Sequence, residues 1–232
     1  MTDHNTDELI SPWQTGLRAA RANIIPALIL QATCLCLILA YYSFPAVERF
    51  LQPVSEWQGR YGALAAFISR AVFGGLLPGV FMLTIPALKV KRPALTIAMT
   101  SVFWGLLGIS FIWLYRLQSW MFGTGHDGLT LVKKTLFDQL TFTVFIGVPL
   151  VCTFHFWQHC GFSFSRTKAD FPRQWVKHLI LPTLIPNWAV WAPGMMIIYA
   201  LPEPLQVHFS GLVGCFWTLF CMQVAAHATD RK

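Results

Sequence analysis

Two ionisable residues lie deep inside apolar runs, Arg70 and Asp138, with Gln139 beside the acid. A charge at mid-bilayer costs about 2.5–3.5 kcal/mol on insertion scales, so residues of this kind pair, lock helices together or line a polar path. Counted from the starts of their runs, both fall about 10–12 Å below the same membrane face at 1.5 Å per residue. They are expected to pair, with Gln139 as a second partner, as a packing lock or as part of a gate or pore lining. Alternatively, Asp138 sits at the interface with Lys134 one turn before it. His155 and His159 stand i, i+4 with Cys160 following, which puts two imidazoles on one helix face, as a metal would need. No carboxylate accompanies them locally, so interfacial hydrogen bonding is expected and no metal or cofactor is. His178 and His208 stand alone. Asn187 lies among Pro182, Pro186 and Pro193, where it is expected to cap a helix break or face a permeation path, with Trp188 and Trp191 packed around it.

The elements that must position these residues follow from composition. Of 232 residues, 55% are hydrophobic and only 12% charged, and the mean hydropathy is +0.54. A soluble domain carries about twice that charge. A bilayer core needs about 20 apolar residues as helix, and six runs meet that length: Asn23 to Phe44, Gly62 to Leu88, Ala94 to Tyr115, Leu131 to Trp157, Leu179 to Leu201 and Leu205 to Ala226. They are continuously apolar, without the alternation of barrel strands. The expectation is an all-α polytopic bundle of about six helices, the second and fifth broken by proline and glycine. A polar tail (1–22) and an extra first helix (23–44) precede the main membrane domain (61–228).

The net charge of +7 does not indicate nucleic acid, because the basic residues sit almost wholly between the runs. Eleven of them fall in one set of loops, including Arg18, Lys89, Lys91, Arg231 and Lys232, and five in the opposite set. The positive-inside rule then puts both termini on the inner side. Cys34, Cys36, Cys152, Cys215 and Cys221 lie within apolar runs as small hydrophobes. Gly161 to His178 sets Phe164, Phe171 and Trp175 beside Arg166, Lys168, Arg173 and Lys177 at helical spacing, as a helix at headgroup level would, although an ordinary positive loop has the same charge. Ala46 to Arg60 reads similarly but less strongly. Trp113, Trp120, Trp157 and Trp175 suit the interfacial belts. Gly75 with Gly79, and Ser210 with Gly214, let helices approach closely, within the bundle or in a homo-oligomer.

Several stretches go beyond composition. WLYRLQSWMFG from Trp113, VKKTLFDQ from Val132, TLIPNWAVWAP from Thr183 and YALPEPL before a last helix with Trp217 occur in an order that resembles the Mpv-seventeen/PMP-twenty-two family of peroxisomal and mitochondrial membrane proteins. The resemblance covers roughly Tyr61 to His227. It rests on Lys133, Lys134, Asp138 and Gln139, with Pro149 later in the same run, and on Asn187, Trp188 and Trp191. Departures include Ala192 between Trp191 and Pro193, then Met195 where the family usually has a glutamine, Ile198 and Tyr199 where it has an Asn-Phe pair, and Thr218 where an asparagine often follows the last tryptophan. What the resemblance implies is non-selective channel activity or metabolite homeostasis, with no enzymatic reaction.

The expected function is therefore a channel-like membrane protein that passes small solutes or ions, its partner the lipid bilayer. A secondary transporter and a non-enzymatic scaffold are the alternatives. A membrane enzyme lacks an acid/base or nucleophile constellation. A bacterial cytoplasmic membrane is as compatible as an organelle membrane.

Overall fold

The computed structural model describes Leu17, Arg21, residues 24–85, Val90 and residues 92–229, with only the backbone of Pro26 and of 219–229. The polar tail is thus described only at Leu17 and Arg21, while Asn23, Leu88 and the basic residues Arg18, Lys89, Lys91, Arg231 and Lys232 lie outside, as does the side chain of Cys221. Among the described residues the regular structure is entirely helical. In chain order the helices are α1 (Ile24–Ser43), α2 (Pro45–Tyr61), α3 (Ala63–Ala71), α4 (Leu77–Leu83), α5 (Pro93–Phe122), α6 (Gly128–Phe137), α7 (Val148–His159), α8 (Phe164–Asp170), α9 (Leu181–Tyr199) and α10 (Glu203–Thr229). Among the described residues the π-helical segments Val72–Leu76, Asp138–Gly147 and Val176–Ile180 join α3 to α4, α6 to α7, and lead into α9.

Among the described residues, three helical stretches are long and apolar enough to cross a membrane: Ala63–Leu83, Pro93–Phe122 and Gly128–His159. A fourth is reached if Ala27–Ser43 and Pro45–Tyr61, bent by 102°, count as one span. The bend has a local cause. Phe44 precedes Pro45 and is forced into extended geometry, φ −123° and ψ 107°, so α1 must stop there. Pro45 then opens α2, where its missing N–H costs nothing. Gly62 ends α2 at φ +50° and Gly123 ends α5 at φ +86°, both values that side chains with a Cβ avoid.

The chain divides into two compact units, residues 26–137 with 193–232, and residues 1–25 with 138–192. In the larger unit α3 and the π segment after it pack along α5, and α10 packs on α2, α3 and α4. The approach to α5 is close because Gly74, Gly75 and Gly79 face it. A Cβ at Gly74 would come within 2.6 Å of Trp104, one at Gly79 within 2.6 Å of Ile97, and one at Gly75 would overlap the Ser101 backbone. The Gly75/Gly79 pair thus serves packing inside this unit. The expected interfacial stretch at Ala46 to Arg60 is the helix α2. Its Leu51 and Val54 pack on Ile38, Leu201 and Leu205, while Phe50 is 78% exposed.

In the smaller unit Val148, Ile180 and Leu184 form a core covered by Trp175 and Trp188. The helix expected over Gly161 to His178 is interrupted: α8 ends where Phe171 turns extended ahead of Pro172, and helical structure resumes at the π segment Val176–Ile180. The break expected in the fifth helix at Asn187 is absent: α9 runs from Leu181 to Tyr199 through Pro186 and Pro193, and the irregular turn comes earlier, at Val176–Ile180.

Candidate functional site

The larger unit carries a seam of buried polar side chains where α2, α3, α5, α6 and α10 meet. Gln58, Arg70, Gln118, Lys134, Gln206, His208 and Ser210 are all buried there. All but Gln58, which lies on the charged helix α2, sit on largely apolar helices, so helix formation alone does not decide whether they turn inward or outward; packing does.

At one level of the seam Ser119 donates to Glu203 Oε2 at 2.9 Å, and Lys134 Nζ donates to Ser119 Oγ at 3.4 Å. A cation and a carboxylate are thereby bridged through one hydroxyl. Gln118 fastens α5 to α6 by donating to the Lys134 carbonyl at 3.2 Å. Beside this group lies a cavity of about 90 Å³ lined by Gln58, Tyr115, Arg116, Glu203 and Val207, among others. That is room for several water molecules, each needing about 10–15 Å³ of such volume. Gln58 donates to the Gly62 carbonyl at 3.0 Å, while its Oε1 has no hydrogen-bond partner among the described residues. His208 lies against the Trp57 ring at 5.4 Å, its Nε2 also without a partner.

Further along α5 and α10, the Arg70 guanidinium sits over the rings of Trp104 and Phe111, at 5.2 and 4.7 Å. Gly108 and Gly211 make room for it, since a Cβ would come within 2.6 Å of Arg70 Cγ at the first and 3.2 Å of Cδ at the second. Nε and Nη1 have no hydrogen-bond partner among the described residues. Tyr115 joins the levels, donating to Ser210 Oγ at 3.4 Å. A buried cation held by rings rather than acceptors has unused donors in a low-dielectric setting, which normally marks a place that water or an anion completes.

In the smaller unit Asp138 opens the second π segment. Its Oδ2 accepts from Gln139 Nε2 and its Oδ1 from Thr143 Oγ1, each at 3.4 Å. Trp188 Nε1 donates to the Gln139 carbonyl at 3.0 Å, tying α9 to that segment. This carbonyl belongs to a stretch where i→i+5 spacing replaces the α-helical pattern, and π segments recur at functional positions. Arg70 belongs to the larger unit and Asp138 to the smaller.

The remaining candidates spread out. Lys133 is exposed, whereas Lys134 is buried in the seam. Asn187 is half-buried inside α9, where no helix end needs its cap, and Trp191 and Trp217 are half-buried on α9 and α10. His155 Nδ1 meets Gln158 Oε1 at 3.1 Å, and His159 and His178 are exposed. No group of three His, Cys, Asp or Glu side chains converges among the described residues. Sequence reasoning missed Gln58, Gln118, Ser119 and Glu203 and treated His208 as isolated. The one available signal was the carboxylate of YALPEPL at the mouth of an apolar helix.

No family model, curated protein or solved structure matches this chain.

Proposed function

We propose that the chain is an integral membrane protein of channel-like type, in which small solutes or ions pass along the seam of the larger unit. The observation that carries this reading is the seam itself. The helices enclose a cavity at Glu203 with room for several waters and, further along α5 and α10, a buried guanidinium with unused donors. Burying so many polar groups in lipid is costly unless water or a solute reaches them. The resemblance to the Mpv-seventeen/PMP-twenty-two family supports the same reading. We further propose that six helices are embedded, with α1 crossing the bilayer and α2 lying along its surface, and that both termini face the positive inner side.

Reconstitution into planar bilayers tests it. Single-channel conductance that changes at least severalfold in Arg70→Gln supports passage along the seam, and electrically silent bilayers overturn it. A secondary transporter is the second reading, favoured by the π segments at Val72–Leu76 and Asp138–Gly147, which interrupt apolar helices as substrate sites do in such proteins. Silent bilayers together with saturable solute exchange in vesicles would select it.

A further inference from the structure

The surface beyond α7 has chemistry that passage along the seam does not use. Gly161 and Phe162 both take positive φ, 68° and 60°, turning the chain sharply after His159. Ser163 then caps α8, accepting from the Arg166 amide at 3.4 Å. Between α8 and the following segment lies an open groove of about 590 Å³ whose lining includes Phe164, Thr167, Lys168, Phe171, Arg173 and Trp175. Ligand clefts span about 300–1,000 Å³.

The lining divides by chemistry. Phe164 is 78% exposed, and its ring lies 5.1 Å from that of Trp157. Phe171 lies 6.1 Å from Trp175. The Thr167 hydroxyl is committed to the Ser163 carbonyl at 2.8 Å, which leaves Lys168 and Arg173 as the groove's cationic donors. Neither has an ion-pair partner among the described residues. From Gly161 to His178 there are four Lys and Arg residues and one acid, Asp170. The groove follows directly on Gly128–His159, a stretch long and apolar enough to cross a membrane, so it falls where headgroups lie if that stretch spans.

We propose that this groove holds one anionic phospholipid, its phosphate on Lys168 and Arg173 and its glycerol and upper acyl carbons against Phe164, Phe171 and Trp175. A free phosphate would use the two cations but gain nothing from three rings. A zwitterionic lipid would use the rings but bring its own cation close to Lys168 and Arg173, which repel it. Basic pockets at span ends select anionic headgroups by this combination.

The test uses the full chain in detergent, titrated with phosphatidylglycerol, phosphatidylcholine or inorganic phosphate. Thermal unfolding and native mass spectrometry of retained lipid are the readouts. Phosphatidylglycerol is expected to bind saturably and raise the unfolding temperature, while the other two do neither. Lys168→Gln with Arg173→Gln raises the half-saturating concentration about 30-fold. Lys168→Arg with Arg173→Lys retains binding. Arg166→Gln with Lys177→Gln, equal in charge but outside the groove lining, stays within about threefold of wild type. Equal effects of the two lipids overturn the proposal, as does a control that weakens binding as much as the groove variant. Inorganic phosphate that stabilises as well as the lipid replaces it with a free-anion site.

Discussion

Ser119 and Glu203 stand 84 positions apart, yet the hydroxyl of the first donates to Oε2 of the second at 2.9 Å, and Lys134 Nζ reaches the same hydroxyl. The serine on α5 therefore relays between opposite charges contributed by α6 and α10. Removing one charge leaves the other without its counter-ion in a poorly solvated seam. Lys134→Met and Glu203→Gln are each expected to destabilise by about 1–3 kcal/mol, while the double variant loses less than their sum. Chemical unfolding in detergent over the full cycle measures the coupling, and strict additivity would refute the relay.

Arg70 presents the opposite case. Its Nε and Nη1 lack acceptors among the described residues, so Arg70→Met removes an uncompensated buried charge at similar volume. Against that gain stands the loss of the contacts with Trp104 and Phe111. The net expectation is between no change and about 2 kcal/mol of stabilisation. Thermal unfolding decides it: a loss of several kcal/mol would mean that the guanidinium is held by an acceptor after all.

Gly75→Ala and Gly59→Ala should part in sign. A Cβ at Gly75 overlaps the Ser101 backbone, which cannot rotate aside, so the helices must separate, at a cost of about 2–3 kcal/mol. At Gly59 nothing lies within 4 Å, and alanine is expected to stabilise α2 by about 0.5–1 kcal/mol. Unfolding temperatures of the two variants, prepared in the same detergent, provide the comparison.

Asp127 begins α6, accepting from the Thr130 hydroxyl at 2.7 Å and the Thr130 amide at 3.1 Å. These bonds favour the carboxylate and hold its pKa below the ordinary value, the hydroxyl first and the amide second. Because the folded value is the lower one, the cap's contribution is complete above the unfolded pKa of about 3.9 and disappears as pH falls through the folded value. Hydrogen exchange at the Thr130 amide should therefore accelerate, after correction for intrinsic rate, only in that acid window. Asp127→Asn should abolish the pH dependence.

The sequence by itself determined the helical class and the places where helices stop. Long apolar runs must satisfy their backbone internally, and Phe44 before Pro45, Gly62 and Gly123 impose local geometry that no packing is needed to explain. It also singled out Arg70, Asp138 and Gln139, because a charge or amide in an apolar run is conspicuous from composition alone. It could not show that α9 passes Asn187 unbroken, since a helix tolerates proline when neighbours take up the freed carbonyls. Nor could it reveal the seam. Gln58, Gln118, Ser119, Glu203 and His208 each look like isolated polar residues along the chain. Their meaning depends on which face of each helix is turned inward and at what height the faces meet. Those are properties of packing between distant segments, so only the tertiary structure decided that a serine on α5, a lysine on α6 and a glutamate on α10 act together.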